Sequence, residues 1–140
     1  MVEIKVMLDE GAKMPTKAHE SDAGYDIYAP EPFGVAPKHS WTIDTGVHML
    51  IPEGYVGFLK SKSGLNVKHG LTGEGVVDAG YTGSIQVKLY NDSGAPYIFD
   101  KGDKVIQIVI LPIPETELVQ VDSLEETERG DRGFGSSGRR

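Results

Sequence analysis

Cysteine is absent from this sequence. That excludes a disulfide framework, thiolate metal ligation and thiol catalysis together. Positive charge is scarce: 14 Lys and Arg stand against 21 Asp and Glu, a formal charge of −7. Such a chain has no basic face large enough to hold a long polyanion, so a nucleic-acid polymer is not an expected partner. A small anion can still be held where a few cations or a metal gather. Long apolar runs are missing too, so no membrane span is expected. The opening residues, MVEIKVMLDEG, lack the basic start and apolar core of a secretion signal. A cytoplasmic location is therefore expected, in a cell or for a virus or phage inside one. Helical periodicity is scarce as well, and only the stretch around Ser63 to His69 offers a short helix. The four histidines show no metal-ligand spacing.

What is abundant is turn chemistry. Eighteen glycines and eight prolines in 140 residues imply many short elements in a single domain. The apolar residues mostly alternate with period two: Val2, Ile4 and Val6, then Ile85, Val87 and Leu89, then Leu118 and Val119 before Val121. WTIDTGVHMLIPEGYVGFLKSK reads as two strands joined at Pro52, Glu53 and Gly54. KVIQIVILPI is almost wholly apolar, as in a strand covered on both sides. The pattern predicts an all-β sandwich or barrel. Composition changes after Leu124, where EETERGDRGFGSSGRR is polar and glycine-rich. The expected division is a β domain over residues 1–124 and a flexible arm over 125–140.

Five stretches carry residues suited to chemistry. In GVVDAGYTG, two β-branched residues, Val76 and Val77, lead into Asp78, with Tyr81 three positions on. Taken alone, Asp78 reads first as a turn acid bonded to local backbone, since such carboxylates are common, and second as a carboxylate held at a site. In SKSGLNVKHG, Ser63 and Gly64 can offer donors to an anion beside Lys62, or Ser63 can simply cap the helix. In SDAGYDIYAP, Asp26 is an edge-strand acid or one that holds a metal's water. In KGDKVIQIVI, the amide of Gln107 needs partners, either backbone groups or a phosphate. The tail GFGSSG is a frayed terminus or a lid, with Gly135 in a run of open N–H groups, Ser136 and Ser137 as hydroxyls and Phe134 as a stacking ring. Arg129 and Arg132 add donors suited to phosphate.

In order, AGYDIYA, KSGL, GVVDAGYTG, GDKVIQ and RGDRGFGSSG resemble the five motifs of the homotrimeric dUTPase family, from Ala23 to Gly138. The resemblance implies an all-β, distorted jelly-roll fold and a homotrimer whose active sites are shared between subunits and closed by the C-terminal arm. It implies hydrolysis of dUTP to dUMP and pyrophosphate with Mg²⁺. Asp78 would orient and deprotonate the attacking water from a β-hairpin that forms the base pocket. Main chain near Glu74, Gly75 and Val76 would read uracil, and Tyr81 would exclude a 2′-hydroxyl. Ser63, Gly64 and Gln107 would hold phosphates, Asp26 would hold a water of Mg²⁺, and Arg129 would clasp the γ-phosphate. Phe134 would stack on uracil, with Gly135, Ser136 and Ser137 covering the phosphate chain.

Several positions depart from the family's pattern. Ser61 and Lys62 stand where Pro-Arg is usual, which removes a bidentate fork and is expected to weaken a pairing with Asp103 or shift the phosphate grip. Gly80 replaces a common acid, Arg132 a glycine and Ser137 a threonine. The rival dCTP deaminase would need a pocket glutamate and an arginine-rich second motif, and neither is present. A jelly-roll interaction module accounts for the strands but not for the ordered motifs. A viral or phage origin would leave room for a regulatory protein partner.

Overall fold

The computed structural model of the chain describes residues 1–133 and residue 135. Eleven strands and one helix follow in order among them: β1 (Lys5–Leu8), β2 (Gly24–Tyr28), β3 (Phe33–Val35), β4 (Ser40–Asp44), β5 (Val47–Leu50), β6 (Tyr55–Lys60), α1 (Ser63–His69), β7 (Leu71–Thr72), β8 (Glu74–Val77), β9 (Gln86–Asn91), β10 (Tyr97–Phe99) and β11 (Lys104–Pro112). The class is all-β, as the alternation predicts, and the one expected helix forms where expected. The strands make four small antiparallel sheets rather than one closed barrel. The largest runs β2, β11, β6, β8, and a second runs β4, β9, β7. β1 pairs with β5, and β10 with β3.

Alternation explains the core. In β9 Val87, Leu89 and Asn91 point inward while their neighbours face out. Val87 and Leu89 join Ile27, Leu59, Phe99, Ile106 and Ile108 in one continuous cluster. The buried Asn91 is satisfied: its amide donates to the Val35 and Ala95 carbonyls and its oxygen accepts from Ser93. Phe99 stacks on Phe33, their ring centres 4.6 Å apart.

Three expectations need correction. The stretch around Trp41 to Lys60 is three strands, not two, because Gly46 at φ +69 turns the chain between β4 and β5. That turn is held by Asp44 and Ser84, both of which accept from the Gly46 N–H. Second, β11 is buried on one face only. Val105, Ile106 and Ile108 enter the core, whereas Gln107 and Val109 are half-buried and Leu111 is exposed. Third, Leu118, Val119 and Val121 form no strand and are 98, 70 and 54% exposed. Among the described residues they have no ladder partner, and a lone strand leaves its backbone groups unpaired.

Candidate functional site

Asp78 sits where β8 stops. Val77, the last residue of that strand, is buried, and the chain then turns: the Gly80 N–H donates to the Ile51 carbonyl and the Tyr81 N–H to the Asp78 carbonyl. Gly80 has φ +84, a conformation that suits glycine. The Asp78 side chain is exposed, and no hydrogen bond or ion pair engages it among the described residues. A turn acid spends its carboxylate on nearby N–H groups. This one does not.

The turn does not form a paired hairpin. β8 pairs with β6, and β9 pairs with β4 and β7, so the two strands around Asp78 belong to different sheets. The expected hairpin is corrected accordingly. What lies between the strands is a cleft of about 220 Å³ lined by Leu59, Gly75, Val76, Val77, Asp78, Tyr81, Ile85 and Gln86. β8 is also an edge strand. Among the described residues its outer backbone groups have no ladder partner, so they can pair with a ligand. Tyr81 folds back over Gly83 and donates to the Ser84 carbonyl at 2.9 Å. Glu74 turns away from the cleft, and its carboxylate meets the Lys60 ammonium at 2.9 and 3.0 Å.

The other candidates gather elsewhere, on the outward face of the large sheet. Gln107 lies between Asp26 on β2 and Lys60 on β6. Its amide N–H donates to the Ser61 carbonyl at 3.0 Å. Lys62 bonds one oxygen of Asp26 at 2.5 Å and Lys104 the other at 3.1 Å. Lys62 thus pairs with Asp26, while the Asp103 carboxylate accepts the Asp100 N–H. Burial pushes the Asp26 carboxyl up, but the two lysines outweigh it and hold it below the usual carboxylate value. Ser63 opens α1 without capping it. Lys62 occupies the cap position with no side-chain bond, so the Ser63 hydroxyl is not spent on the helix. Gly64 has nothing within reach of an added Cβ.

Three further residues shape this face, and the sequence marked none of them as a site residue. Lys104 lies three positions before Gln107, which by alternation puts it on the opposite face. A register shift between Lys104 and Ile106 reverses that parity and brings it beside Asp26. Ser61 exchanges hydrogen bonds with the Gly73 backbone, tying the end of β6 to the β7–β8 junction. Gly24 leaves the space in which the Gln107 side chain lies, since an added Cβ would collide with its amide. The glycine in AGYD was the only hint of this in the sequence. Gly24→Ala is expected to turn Gln107 away from Ser61 and to cost about 1 kcal/mol of stability for the lost hydrogen bond. Side-chain amide NMR of Gln107 checks the first effect and chemical denaturation the second. An unmoved amide resonance would contradict it.

Lys62, Ser63, Gly64 and Gln107 do not line the Asp78 cleft. One chain therefore keeps the two groups of candidate residues apart. Arg129 is exposed and bonds the Arg132 carbonyl, while Arg132 bonds the carbonyls of Arg129 and Glu128. Phe134, Ser136 and Ser137 lie outside the described residues. Gly135 has φ +93.

Comparison with known proteins joins these observations. The dUTPase family model matches residues 10–138. The deoxyuridine 5'-triphosphate nucleotidohydrolase of Kluyveromyces lactis is 46% identical over 140 residues, 97% of this chain and 94% of that protein. Among solved structures, the dUTPase of Staphylococcus bacteriophage 80alpha with dUPNHPP has a TM-score of 0.91 and 36% identity, covering 99% of each chain. A mutant dUTPase from phage phi11 of S. aureus, which reveals the coordination of a structural Mg(II) ion, has a TM-score of 0.82 and 34% identity. It covers 89% of this chain and 100% of that one.

Proposed function

This chain belongs to the dUTPase family, and from that premise we propose that it hydrolyses dUTP to dUMP and pyrophosphate. The observation that carries the reading is the carboxylate of Asp78, unengaged among the described residues, at the mouth of a cleft walled by an edge strand and by Tyr81. Uracil enters that cleft and pairs with main chain of Glu74, Gly75 and Val76. The free edge of β8 suits this, because backbone groups can read a base edge without charged side chains. Val77 anchors the strand in the core, so Asp78 is presented from a rigid end. Asp78 orients the attacking water and takes its proton, within the hydrogen-bond reach that general base catalysis needs. Tyr81 lies against the deoxyribose and leaves no room for a 2′-hydroxyl.

Ser63, Gly64, Lys62 and Gln107 receive the phosphates on the outward face of the large sheet. Holding the chain of phosphates in line, and neutralising the charge that develops, accounts for most of the rate gain. Arg129 reaches the γ-phosphate. Phe134 stacks on uracil, and Gly135, Ser136 and Ser137 close over the phosphates.

Among the described residues no three His, Asp or Glu side chains gather as a metal cage. That fits Mg²⁺, which keeps several waters and is gripped by substrate phosphates with one or two carboxylates. Asp26 retains lone pairs beyond those its lysines use, so it can accept a hydrogen bond from a metal-bound water. When bound, the ion supplies charge neutralisation on the phosphate oxygens.

The two groups, kept apart in one chain, support an oligomer in which one subunit's cleft faces another's phosphate-binding face. The family's homotrimer meets that need. Two uncovered apolar surfaces support it further: Phe58, Val76, Val109 and Leu111 surround an open depression on the large sheet, and Leu118, Val119, Val121 and Leu124 are exposed after β11. Residues 125–140 act as the closing arm.

Pyrophosphate release from dUTP, dCTP, UTP and dTTP tests the assignment. Only dUTP should be turned over efficiently, and ammonia from dCTP would instead indicate a deaminase. In the same assay Tyr81→Ala should raise the relative use of UTP by roughly 10-fold or more, the scale of one steric contact in a pocket. Unchanged dUTP-over-UTP preference with lower activity would remove Tyr81 from the steric role.

A further inference from the structure

His48 on β5 is hydrogen-bonded at both ends of its ring, outside the cleft and the phosphate-binding face. Its Nδ1 lies 2.8 Å from the Thr82 carbonyl, and its Nε2 lies 3.0 Å from each oxygen of the Asp9 carboxylate. Both partners are acceptors. A neutral imidazole carries one N–H and can satisfy only one of them, whereas the imidazolium donates to both. The side chain is 18% exposed, which limits replacement of either bond by water. The ionised groups facing it are Asp9, just after β1, and Asp44, at the end of β4. Both favour the charged ring.

Thr82 belongs to the loop that carries Tyr81. Residues 81–84 form a small folded unit, with the Tyr81 hydroxyl donating to the Ser84 carbonyl. Ser84 donates its own hydroxyl to Asp44 and accepts the Gly46 N–H, which fixes one end of the unit to the β4–β5 turn. His48 fixes its middle. Asp9, the far partner of His48, is tied to the same turn through its N–H on the Gly46 carbonyl.

We propose that His48 is a positioning residue, a protonation-dependent strut between Asp9 and the Thr82 carbonyl that sets how closely Tyr81 borders the sugar. The idea rests on Tyr81 acting as the sugar gate. Loss of the proton leaves one N–H, which the charged Asp9 carboxylate holds on Nε2 in preference to a neutral carbonyl. The bond to the Thr82 carbonyl is then the one lost, and the loop is held only at its Ser84 end. The Thr82 carbonyl, with Asp9 and Asp44, holds the His48 pKa above the ordinary 6.5. A raised folded pKa places the strut's full contribution below the unfolded value, and the contribution disappears as pH rises through the folded value. Sugar discrimination should therefore weaken from neutral towards mildly alkaline pH.

The test is kcat/KM for dUTP and for UTP from about pH 6 to about pH 9, spanning the histidine range. The ratio of the two cancels ionisation of the triphosphate and of the catalytic carboxylate, which both substrates share. The wild-type dUTP preference should fall about three- to tenfold through one transition, the scale of one hydrogen bond. Its midpoint should match the His48 titration followed by NMR. Asp9→Asn, at a half-exposed carboxylate, should lower both midpoints together, and His48→Gln should make the preference independent of pH. A flat wild-type ratio, or the same transition in His48→Gln, overturns the proposal. The Gly83 amide, next to the bonded carbonyl, should titrate with His48 in wild type and stay constant in His48→Gln. If it titrates equally in both, the strut is wrong whatever Tyr81 does. If Tyr81→Ala discriminates as wild type does while the Gly83 amide behaves as expected, the gate is what fails.

Discussion

Asp78→Asn is expected to leave the melting temperature and dUTP affinity near those of the wild type while lowering turnover about 10²- to 10⁴-fold, the range for loss of a general base. The substitution is nearly isosteric, and the carboxylate makes no hydrogen bond or ion pair among the described residues that the amide would forfeit. The fold around it depends on the buried Val77 and on the Gly80 bond to Ile51, neither of which involves the side chain. An amide still accepts a hydrogen bond from water but cannot take its proton. Calorimetry with a non-hydrolysable dUTP analogue gives the affinity, and pyrophosphate release gives the rate. Near-normal turnover in a folded variant would return Asp78 to the role of an ordinary turn residue.

The second large effect is expected from the arm. Removing the residues after Glu128 should barely change the melting temperature, because Arg129 and Arg132 bond only carbonyls of their own segment among the described residues. Activity should fall to near background, since the phosphate clasp and the stacking ring leave together. A truncated protein with normal activity would remove the arm from the site. The same variant tests whether sites are shared. Asp78→Asn and the truncated chain, each inactive alone, are unfolded together in equal amounts and refolded. If cleft and arm come from different subunits, random assortment in a closed trimer restores about one quarter of the sites. If both come from one chain, every site lacks one part. Mixed trimers without recovered activity would then exclude arm exchange.

The sequence was most legible where structure is local. Period-two apolar residues marked β9, a nearly continuous apolar run marked β11, and the sparse helical signal identified α1 around Ser63 to His69. The ordered motifs pointed to the family, and the comparisons bear that out. Legibility failed where a side chain's partner lies far along the chain. Nothing in the sequence paired Lys62 with Asp26, and the turn after β8 is not a paired hairpin. The apolar segment after β11 shows the same limit, since its alternation is plain but no strand pairs with it among the described residues.

By itself the sequence determined the all-β class, the absence of thiol chemistry and the residue types available to a phosphate-handling site. These follow from composition, from alternation between neighbours and from turn residues, all of which act over a few positions. Only the tertiary structure decided which charges meet. The register shift in β11 moves Lys104 to the face of Asp26 and Gln107, because one extra residue inverts every later side chain. Among the described residues strand order leaves β8 at an edge with its outer backbone unpaired, and it sets the Asp78 cleft apart from Ser63 and Gln107. The bridge from Asp9 through His48 to Thr82 joins residues 34 and 39 positions apart, a spacing that no local pattern encodes.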